Sequence, residues 1–293
     1  MVSMNQLDTS RKVQVLKCLC EGMSIRGTVR LTGVAKNTIV GLLAEMGDVC
    51  ANLHDRKVRG VKARRLQCDE IWSFCGAKAK NVSPDQKNAG WGDVWTWTAI
   101  DADTQLCVSY IVGGRDKGWA TDFVWELRLR VVGRPQITTD AYKPYLGAIE
   151  EAFGANVDYA QVHKIYGASN ESPEARYSPA KCIGCDMKTV IGNPDYEHVS
   201  TSYVERQNLS MRMHMRRFTR LTNAFSKKIE NHAAAISLYF AFYNFCRVHQ
   251  TLRVTPAMEA GIADHVWTVE ELVALLPEPQ AKKRGPYKQR AAA

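Results

Sequence analysis

The sequence predicts an α/β protein in which a mixed five-stranded sheet with flanking helices follows a small all-α module. Two observations carry this prediction. Up to Leu53, apolar residues recur at the spacing of helices. From Leu66 to Ile165, short segments rich in β-branched and aromatic residues are followed by an alternation of helical and extended segments. With 293 residues, the chain is long enough for one large domain or two smaller ones.

The all-α module is predicted to span residues 1–55. Gly22 and Gly33 separate three runs with helical spacing, of which the second is short and the third is long. This is the layout of a helix-turn-helix motif, and a plain three-helix bundle is the alternative. The basic charge of the chain favours DNA binding. The side chains that would reach base edges lie at the start of the third helix: Lys36, Asn37 and Thr38.

Residues 56–65 are predicted to be a basic linker. They belong to the run HDRKVRGVKARR, which separates the helical module from the first segment with strand character. We expect this linker to be extended and to follow a phosphate backbone.

The main domain is predicted to span residues 66–262 and to begin with three strands. LQCDEIWSFCGA, which starts at Leu66, mixes apolar and polar residues as a strand does, with Asp69 in its middle. DVWTWTAIDADTQLCVSYIVGG gives two further strands. The polar turn DADT joins them, so this segment is predicted to be a hairpin.

Helical and extended segments alternate after the hairpin. Helical spacing over residues 118–132 precedes a short strand, QITTD, that ends at Asp140. A helix over 142–153 and a strand over 157–165 follow. An antiparallel meander followed by βα units is one of the layer solutions of α/β domains. This order is that of the ribonuclease H-like fold.

Three segments complete the predicted domain organisation. Residues 167–199 are rich in proline and glycine and are predicted to be an irregular loop inserted into the domain. Residues 227–249 are predicted to form a long apolar core helix. Residues 263–293 are predicted to hold a short helix and a basic, disordered tail.

The net charge of +9 is the most informative feature of the composition. It favours polyanionic partners, of which nucleic acid is the commonest. Nine unevenly spread cysteines do not resemble a secreted disulfide framework, and the N-terminus lacks the apolar core of a signal peptide. We therefore expect a reducing cytoplasm. The sequence contains no run of about 18 apolar residues, so we predict no membrane span.

Residues 200–225 are predicted to form one helix with two distinct faces. An apolar stripe consists of Val204, Met211, Met215 and Phe218. A charged stripe on another side consists of Glu205, Arg212 and Arg216. Ser200, Thr201 or Ser202 can cap the helix. The plain interpretation is a solvated charged face, and two upstream aspartates favour a functional one.

Asp69, Asp140 and Glu205 are candidate ligands for hard divalent cations. They come from two predicted strands and one helix, and a strand-centre aspartate is costly to bury without a partner. Magnesium prefers oxygen ligands. Two such ions about 4 Å apart activate the attacking oxygen and stabilise the leaving oxygen in phosphoryl transfer. Glu70 should point to the opposite face of the sheet and is not a predicted ligand.

Four sequence blocks surround or follow these acids. The first three are DEIWSF around Asp69, TTDAY around Asp140 and STSYVERQNLSMRMHMRRFTRLTNAFSKK around Glu205. The fourth is NFCRVHQTLRVTPAMEAGI, of the type YN…H.TL…TPA. Together they resemble the DDE-type transposases of bacterial insertion sequences, most closely the IS1-like family. The resemblance covers roughly Leu66 to Ile262, and YVERQN with the closing TL…TPA block is its specific part.

The resemblance implies a ribonuclease H-like catalytic domain that depends on two Mg²⁺ or Mn²⁺ ions per active site. Water would first cleave a phosphodiester at an end of the element, and the freed 3′-hydroxyl would then attack target DNA. The implied partners are the terminal repeats and target DNA, bound by a homodimer or a larger assembly. The implied location is the bacterial cytoplasm, in association with the nucleoid.

The resemblance also implies roles for individual residues. Asp69, Asp140 and Glu205 would be catalytic metal ligands. Arg212 would hold a phosphate near the metals. The candidate DNA contacts in the same block are Arg206, Asn208, Arg216 and Arg217.

Cys182 and Cys185 form a C-x₂-C pair in the predicted loop and are candidate zinc ligands. A structural zinc site would need two more ligands. His198 is one candidate, but no second C-x₂-C occurs in the sequence. We therefore do not expect structural zinc.

Two other functions are compatible with the basic charge of the chain. A catalytically inactive helix-turn-helix repressor derived from a transposase would bind DNA without a metal. A ribonuclease H-type nuclease without transposition would have little use for an end-reading module. The transposase is the leading prediction because it accounts for both the module and the three acids.

Overall fold

The computed structural model describes residues 7–167, 182–219 and 223–278. Its helices are α1 (Thr9–Cys20), α2 (Ile25–Thr32), α3 (Lys36–Lys57), α4 (Pro84–Asn88), α5 (Lys117–Arg130), α6 (Pro144–Phe153), α7 (Ser202–His214), α8 (Ile229–Ala241), α9 (Pro256–Glu259) and α10 (Val269–Ala274). Its strands are β1 (Arg65–Cys75), β2 (Gly92–Asp101), β3 (Cys107–Gly113), β4 (Gln136–Asp140), β5 (Asp158–Tyr166) and β6 (Cys182–Ile191). Across these ranges, every helix is too short or too polar to span a lipid bilayer.

The sheet is mixed, and its strands lie in the order β3-β2-β1-β4-β5-β6. The first three strands form an antiparallel meander, and β4 and β5 continue the sheet parallel to β1. Along the chain, these five strands and the helices α5 and α6 follow one another in the predicted order, which is consistent with a ribonuclease H-like fold. Helices cover both faces. On one, Trp97 packs against Phe123 of α5 and Tyr145 of α6, and on the other Ile71 packs in a cluster with Val204 of α7.

The sheet has six strands rather than the predicted five. The additional strand, β6, occupies part of segment 167–199, which was expected to be irregular, and pairs antiparallel with the edge strand β5. Most side chains of β6 are exposed, so the segment has no apolar alternation that could have predicted a strand. Residues 168–181 of the predicted loop, and the predicted tail from residue 279 onward, lie outside the described residues.

Three helices precede the sheet, as predicted, and Gly33 ends α2 in a left-handed conformation. Helix α3 packs closely against α8. A Cβ atom at Gly47 would lie 2.3 Å from the Cβ of Ala234, so only glycine fits there. The apolar residues of α1 and α3 belong to the same hydrophobic cluster as the sheet. The DNA-binding role of these helices stays a prediction.

Residues 56–65 are packed against α5, which differs from the extended linker that we predicted. The first two residues end α3, and Val58, Val61 and Ala63 are buried. The backbone N–H of Val61 donates to the carbonyl of Arg130. The buried guanidinium of Arg130 donates to the carbonyl of Val58. The basic sequence therefore contains apolar anchors that fix it to the domain.

Helix α7 is shorter than the helix predicted over residues 200–225. It ends before Met215, whose backbone is extended, and a 3₁₀ turn over Arg216–Phe218 follows. This change of direction buries Phe218 against the ring of His232. Arg216 therefore does not continue the charged stripe of Glu205 along one helix.

Candidate active site

A crevice opens at the carboxyl end of β4 because this strand is shorter than its two neighbours. β4 ends at Asp140, whereas β1 and β5 both continue beyond it. Ligands of open α/β sheets bind beside the carboxyl ends of strands, where such crevices form. The first turn of α7 forms one wall. The cavity has a volume of about 340 Å³, and its polar lining includes Asp69, Arg115, Asp140, Lys164, Thr201 and Glu205.

The three acids predicted from the sequence all line this cavity. In the described part of the chain, the tightest group of possible metal ligands is nevertheless Asp69, Glu70 and Asp140, each with a carboxylate oxygen within 4.8 Å of the others. Glu205 lines the cavity outside this group. Oxygen-only donors at this spacing can hold a metal ion.

Glu70 was not a predicted ligand, because strand alternation directs it away from Asp69. Its contacts follow that alternation, since its carboxylate accepts from the hydroxyl of Tyr145 on α6 at 3.1 Å. It also forms a 2.6 Å ion pair with Arg115, whose guanidinium stacks on the rings of Trp95 and Tyr142. Asp140 nevertheless lies within reach, because β4 ends beside this part of β1. Alternation alone therefore did not exclude Glu70 from the acidic group.

Strand β1 holds α7 in place at two points. The buried side chain of Gln67 accepts from the backbone N–H groups of Tyr203 at 2.8 Å and Val204 at 3.2 Å, in the first turn of α7. The amide of Asn208 donates to Asp69 Oδ2 at 2.8 Å. Gln67 and Asp69 share one face of β1 because they are two residues apart. The position of Glu205 relative to Asp69 is thus set by β1 itself.

Glu205 is paired with polar groups from two directions. Lys164 of β5 binds its carboxylate at 2.5 Å. The hydroxyl of Thr201, one of the expected helix caps, donates to the same oxygen. Thr201 occupies the cap position, where its carbonyl accepts from the backbone N–H of Glu205 at 3.0 Å, but its side chain makes no capping hydrogen bond. The charge of Glu205 is therefore partly neutralised by Lys164.

Asp69 forms no ion pair with a cation in the part of the chain that the structure describes. Burial, followed by the charges of Glu70 and Asp140, raises the pKa of Asp69 to about 7. Burial and the charge of Asp140 also raise the pKa of Glu70, although Arg115 opposes the shift. Such shifts mark an excess of negative charge in a poorly solvated place. A divalent cation would relieve that excess, so the donor set fits a hard metal ion.

Most of the other predicted site residues lie away from the cavity. Arg212 is partly buried on α7 and is not among the described residues that line it. Asn208 is buried beneath Asp69, a position that does not suit its predicted contact with DNA. The side chains that remain exposed are Arg206, Arg216, Lys36, Asn37 and Thr38.

Arg217 is partly buried and held by hydrogen bonds, and its predicted contact with DNA stays a prediction. Its guanidinium donates to Ser226 Oγ at 2.9 Å and to the carbonyl of Asn231 at 2.7 Å. Burial lowers its pKa to about 10. A guanidinium held in this way joins the segment after α7 to the start of α8.

Cys182 and Cys185 lie exposed on β6. Within the described ranges, no third histidine, cysteine or carboxylate joins them in a metal-binding group. His198, the additional candidate ligand, contacts Arg65 at 2.7 Å instead. Nothing in this arrangement favours the zinc alternative.

The comparisons with known proteins do not identify a family for this chain. No protein-family model matches the chain, and no curated protein matches it. Membership of the IS1-like family therefore stays a prediction. Among solved structures, a piggyBac transposase in a synaptic complex with hairpin DNA is similar at 11% identity and a TM-score of 0.42. The match covers 92% of this chain and 69% of that one.

Proposed function

We propose that this protein is a DDE-type transposase that cleaves DNA at the ends of a mobile element and joins those ends to target DNA. One observation carries the proposal: Asp69, Asp140 and Glu205, from three separate elements, line one cavity. The strand order and the basic net charge of +9 support it. The IS1-like family, a homodimer on DNA and a cytoplasmic location near the nucleoid belong to the same proposal.

In this function Asp69 and Asp140 hold a divalent cation, Mg²⁺ or Mn²⁺, and Glu205 contributes to a second ion site. When bound, such ions lower the pKa of an attacking water or 3′-hydroxyl and neutralise charge on the phosphodiester. The chain itself positions these groups. Asn208 orients Asp69 through its 2.8 Å hydrogen bond, and Gln67 fixes the first turn of α7.

The two cations of the cavity have a different role in the proposal. Arg115 and Lys164 line it beside the carboxylates. A guanidinium and an ammonium here would bind the nonbridging oxygens of a phosphodiester and align it with the acids. Arg212, two turns along α7 from Glu205, would bind a phosphate farther from the reacting atoms.

The test is metal-dependent nicking of supercoiled plasmid, with Mn²⁺ and Mg²⁺ in separate reactions. We expect Asp69→Asn, Asp140→Asn and Glu205→Gln each to lower nicking by at least about a hundredfold, because each removes a charge at the reacting centre. Asp85→Asn is the control, since Asp85 is exposed on α4. DNA binding in EDTA should survive in all four variants.

Two outcomes would contradict the proposal. If all three acid variants still nicked DNA like the wild type, the cavity would not be the catalytic site. If the wild type bound DNA but never nicked or joined it with any divalent cation, the inactive repressor would be the better description.

A further inference from the structure

A second cavity of about 190 Å³ lies beside α7, against the π-helical turn Phe242–Cys246 that follows α8. Its polar lining includes Arg206, Ser210, Tyr239, Arg247, His249 and Gln250, and no carboxylate of the described residues lines it. We name it the basic pocket. It lies outside the acidic cavity, and only Arg206 among these residues was a predicted DNA contact.

The positive charge of the basic pocket is not balanced by nearby acids. Among the described residues, neither Arg206 nor Arg247 forms an ion pair with a carboxylate. Arg247 instead contacts His214 Nε2 at 2.5 Å. His249 Nδ1 is buried, with no hydrogen-bond partner. Two arginines and a histidine with one unpaired ring nitrogen thus line one small cavity.

The walls of the basic pocket are fixed by hydrogen bonds among its other residues. Gln207 Nε2 donates to the Tyr239 hydroxyl at 2.9 Å, and the Tyr243 hydroxyl donates to the carbonyl of Gln105 at 2.8 Å. The backbone N–H of His249 donates to the carbonyl of Val254 at 2.9 Å, which closes the turn after Arg247. A preorganised pocket of this kind loses little entropy when it binds an anion.

We infer that the basic pocket binds a phosphodiester group of a nucleic-acid strand whose reacting phosphate lies in the acidic cavity. This inference rests on the proposed function. Planar guanidiniums are suited to the paired oxygens of a phosphate. Glu205 and Arg206 are consecutive on α7, and their side chains diverge by about 100° around the helix axis. A strand that crosses the first half of α7 would therefore meet both cavities.

The test is the salt dependence of DNA binding, measured by fluorescence anisotropy of a labelled 30-base-pair duplex in EDTA. We expect the double variant Arg206→Ala/Arg247→Ala to bind about tenfold more weakly at low salt. The slope of log K against log[NaCl] should become shallower by about one, the change for one lost phosphate contact. Lys80→Ala/Lys87→Ala is the control, because it removes the same charge from two exposed lysines far from α7 in sequence.

Equal slopes for the wild type, the double variant and the control would overturn the inference. Equal losses in the two double variants would also overturn it, because they would show an effect of net charge alone. A parallel measurement with inorganic phosphate distinguishes a site for free anions from a site for nucleic acid. If phosphate raises the melting temperature through these arginines while duplex binding is unchanged, the nucleic-acid assignment is wrong.

The result is independent of the nicking test because EDTA removes the metal. A shallower slope in a protein that never nicks DNA would support the basic pocket and contradict the transposase. An unchanged slope in a protein that nicks DNA would support the transposase and contradict the assignment of the basic pocket. Circular dichroism checks that the variants fold, and Arg206→Gln/Arg247→Gln replaces the alanine variant if that one does not.

Discussion

The two cavities beside α7 have opposite charge. The acidic cavity holds Asp69, Asp140 and Glu205, with Lys164 as the cation that pairs directly with one of them. The basic pocket holds Arg206 with Arg247 and His249, and no carboxylate of the described residues lines it. In the acidic cavity the carboxylates outnumber the cations Arg115 and Lys164, so each cavity has an excess of one charge.

In the proposed function, ligands supply the missing counter-charges. A divalent cation would neutralise the first cavity, and a phosphodiester the second. A nucleic-acid backbone with bound metal ions would satisfy both at once. The consecutive residues Glu205 and Arg206 make α7 the element that joins the two charges.

The largest expected effect is the loss of metal binding when an acid of the tight group is removed. Mg²⁺ or Mn²⁺ should raise the melting temperature of the wild type, because it binds the folded state alone. Asp69→Asn and Asp140→Asn should weaken metal binding by about a hundredfold or more. Glu205→Gln should keep part of the response, since Glu205 lies outside that group.

Differential scanning fluorimetry against metal concentration measures this comparison. Equal retention of the metal response in Asp69→Asn and in the control Asp85→Asn would mean that the acidic cavity is not a metal site. The contrast in charge between the two cavities would then need another explanation.

A smaller effect is expected on the free energy of unfolding, which should differ between variants of the neighbouring residues Arg216 and Arg217. Arg217 donates to Ser226 and Asn231 from a partly buried position, whereas its neighbour Arg216 is exposed. Arg217→Ala should lower the free energy of unfolding by about 2–3 kcal/mol, because it removes two hydrogen bonds made by a charged, partly buried group. Arg216→Ala should change it by less than about 0.5 kcal/mol. Urea unfolding of both variants measures this difference.

The next prediction concerns pH and the acidic cavity. Because burial and neighbouring carboxylates raise the pKa of Asp69 to about 7, this carboxyl is largely protonated at pH 6 and ionised at pH 8. Metal binds the ionised form. The apparent metal affinity should therefore rise about tenfold between pH 6 and pH 8.

The stability of the metal-free protein should change in the opposite direction. A carboxyl whose pKa is raised on folding contributes stability below its ordinary pKa, and this contribution is lost as the pH rises through about 7. Melting temperatures with EDTA and with Mg²⁺ should thus diverge as the pH increases. If Asp69→Asn and the wild type showed the same pH dependence of the melting temperature, a titrating group other than Asp69 would be its cause.

Two of the three acids that the sequence predicted lie near element boundaries, and the third, Asp69, lies inside strand β1. Asp140 ends a short strand and Glu205 lies in the first turn of a helix, and both could be predicted from the local sequence pattern. The contacts that position these residues could not be predicted in this way. Gln67 reaches α7 across more than a hundred residues of sequence, and the Lys164–Glu205 pair joins β5 to α7. Such contacts depend on strand order, which local periodicity does not encode.

The fourth sequence block, NFCRVHQTLRVTPAMEAGI, also shows that a local pattern does not reveal which contacts its residues make. Asn244 accepts from the N–H of Cys107 and donates to its carbonyl, both at 3.0 Å. Thr255 caps α9 by accepting from the N–H of Met258. These residues of the YN…TPA pattern hold the fold together. A motif that suggested catalysis therefore contains structural residues, with His249 beside the basic pocket between them.

The smallest expected effect comes from removing the cation that pairs with Glu205. Lys164→Met should change the free energy of unfolding by less than about 1 kcal/mol, because the pair is partly exposed. It should tighten metal binding a few-fold, about 0.5–1 kcal/mol, since it removes a positive charge from the acidic cavity. Lys188→Met, on the neighbouring strand β6, is the matched control. If Lys164→Met instead weakened metal binding, Lys164 would be holding Glu205 in its metal-binding position, and the acidic cavity would depend on its own cation to assemble.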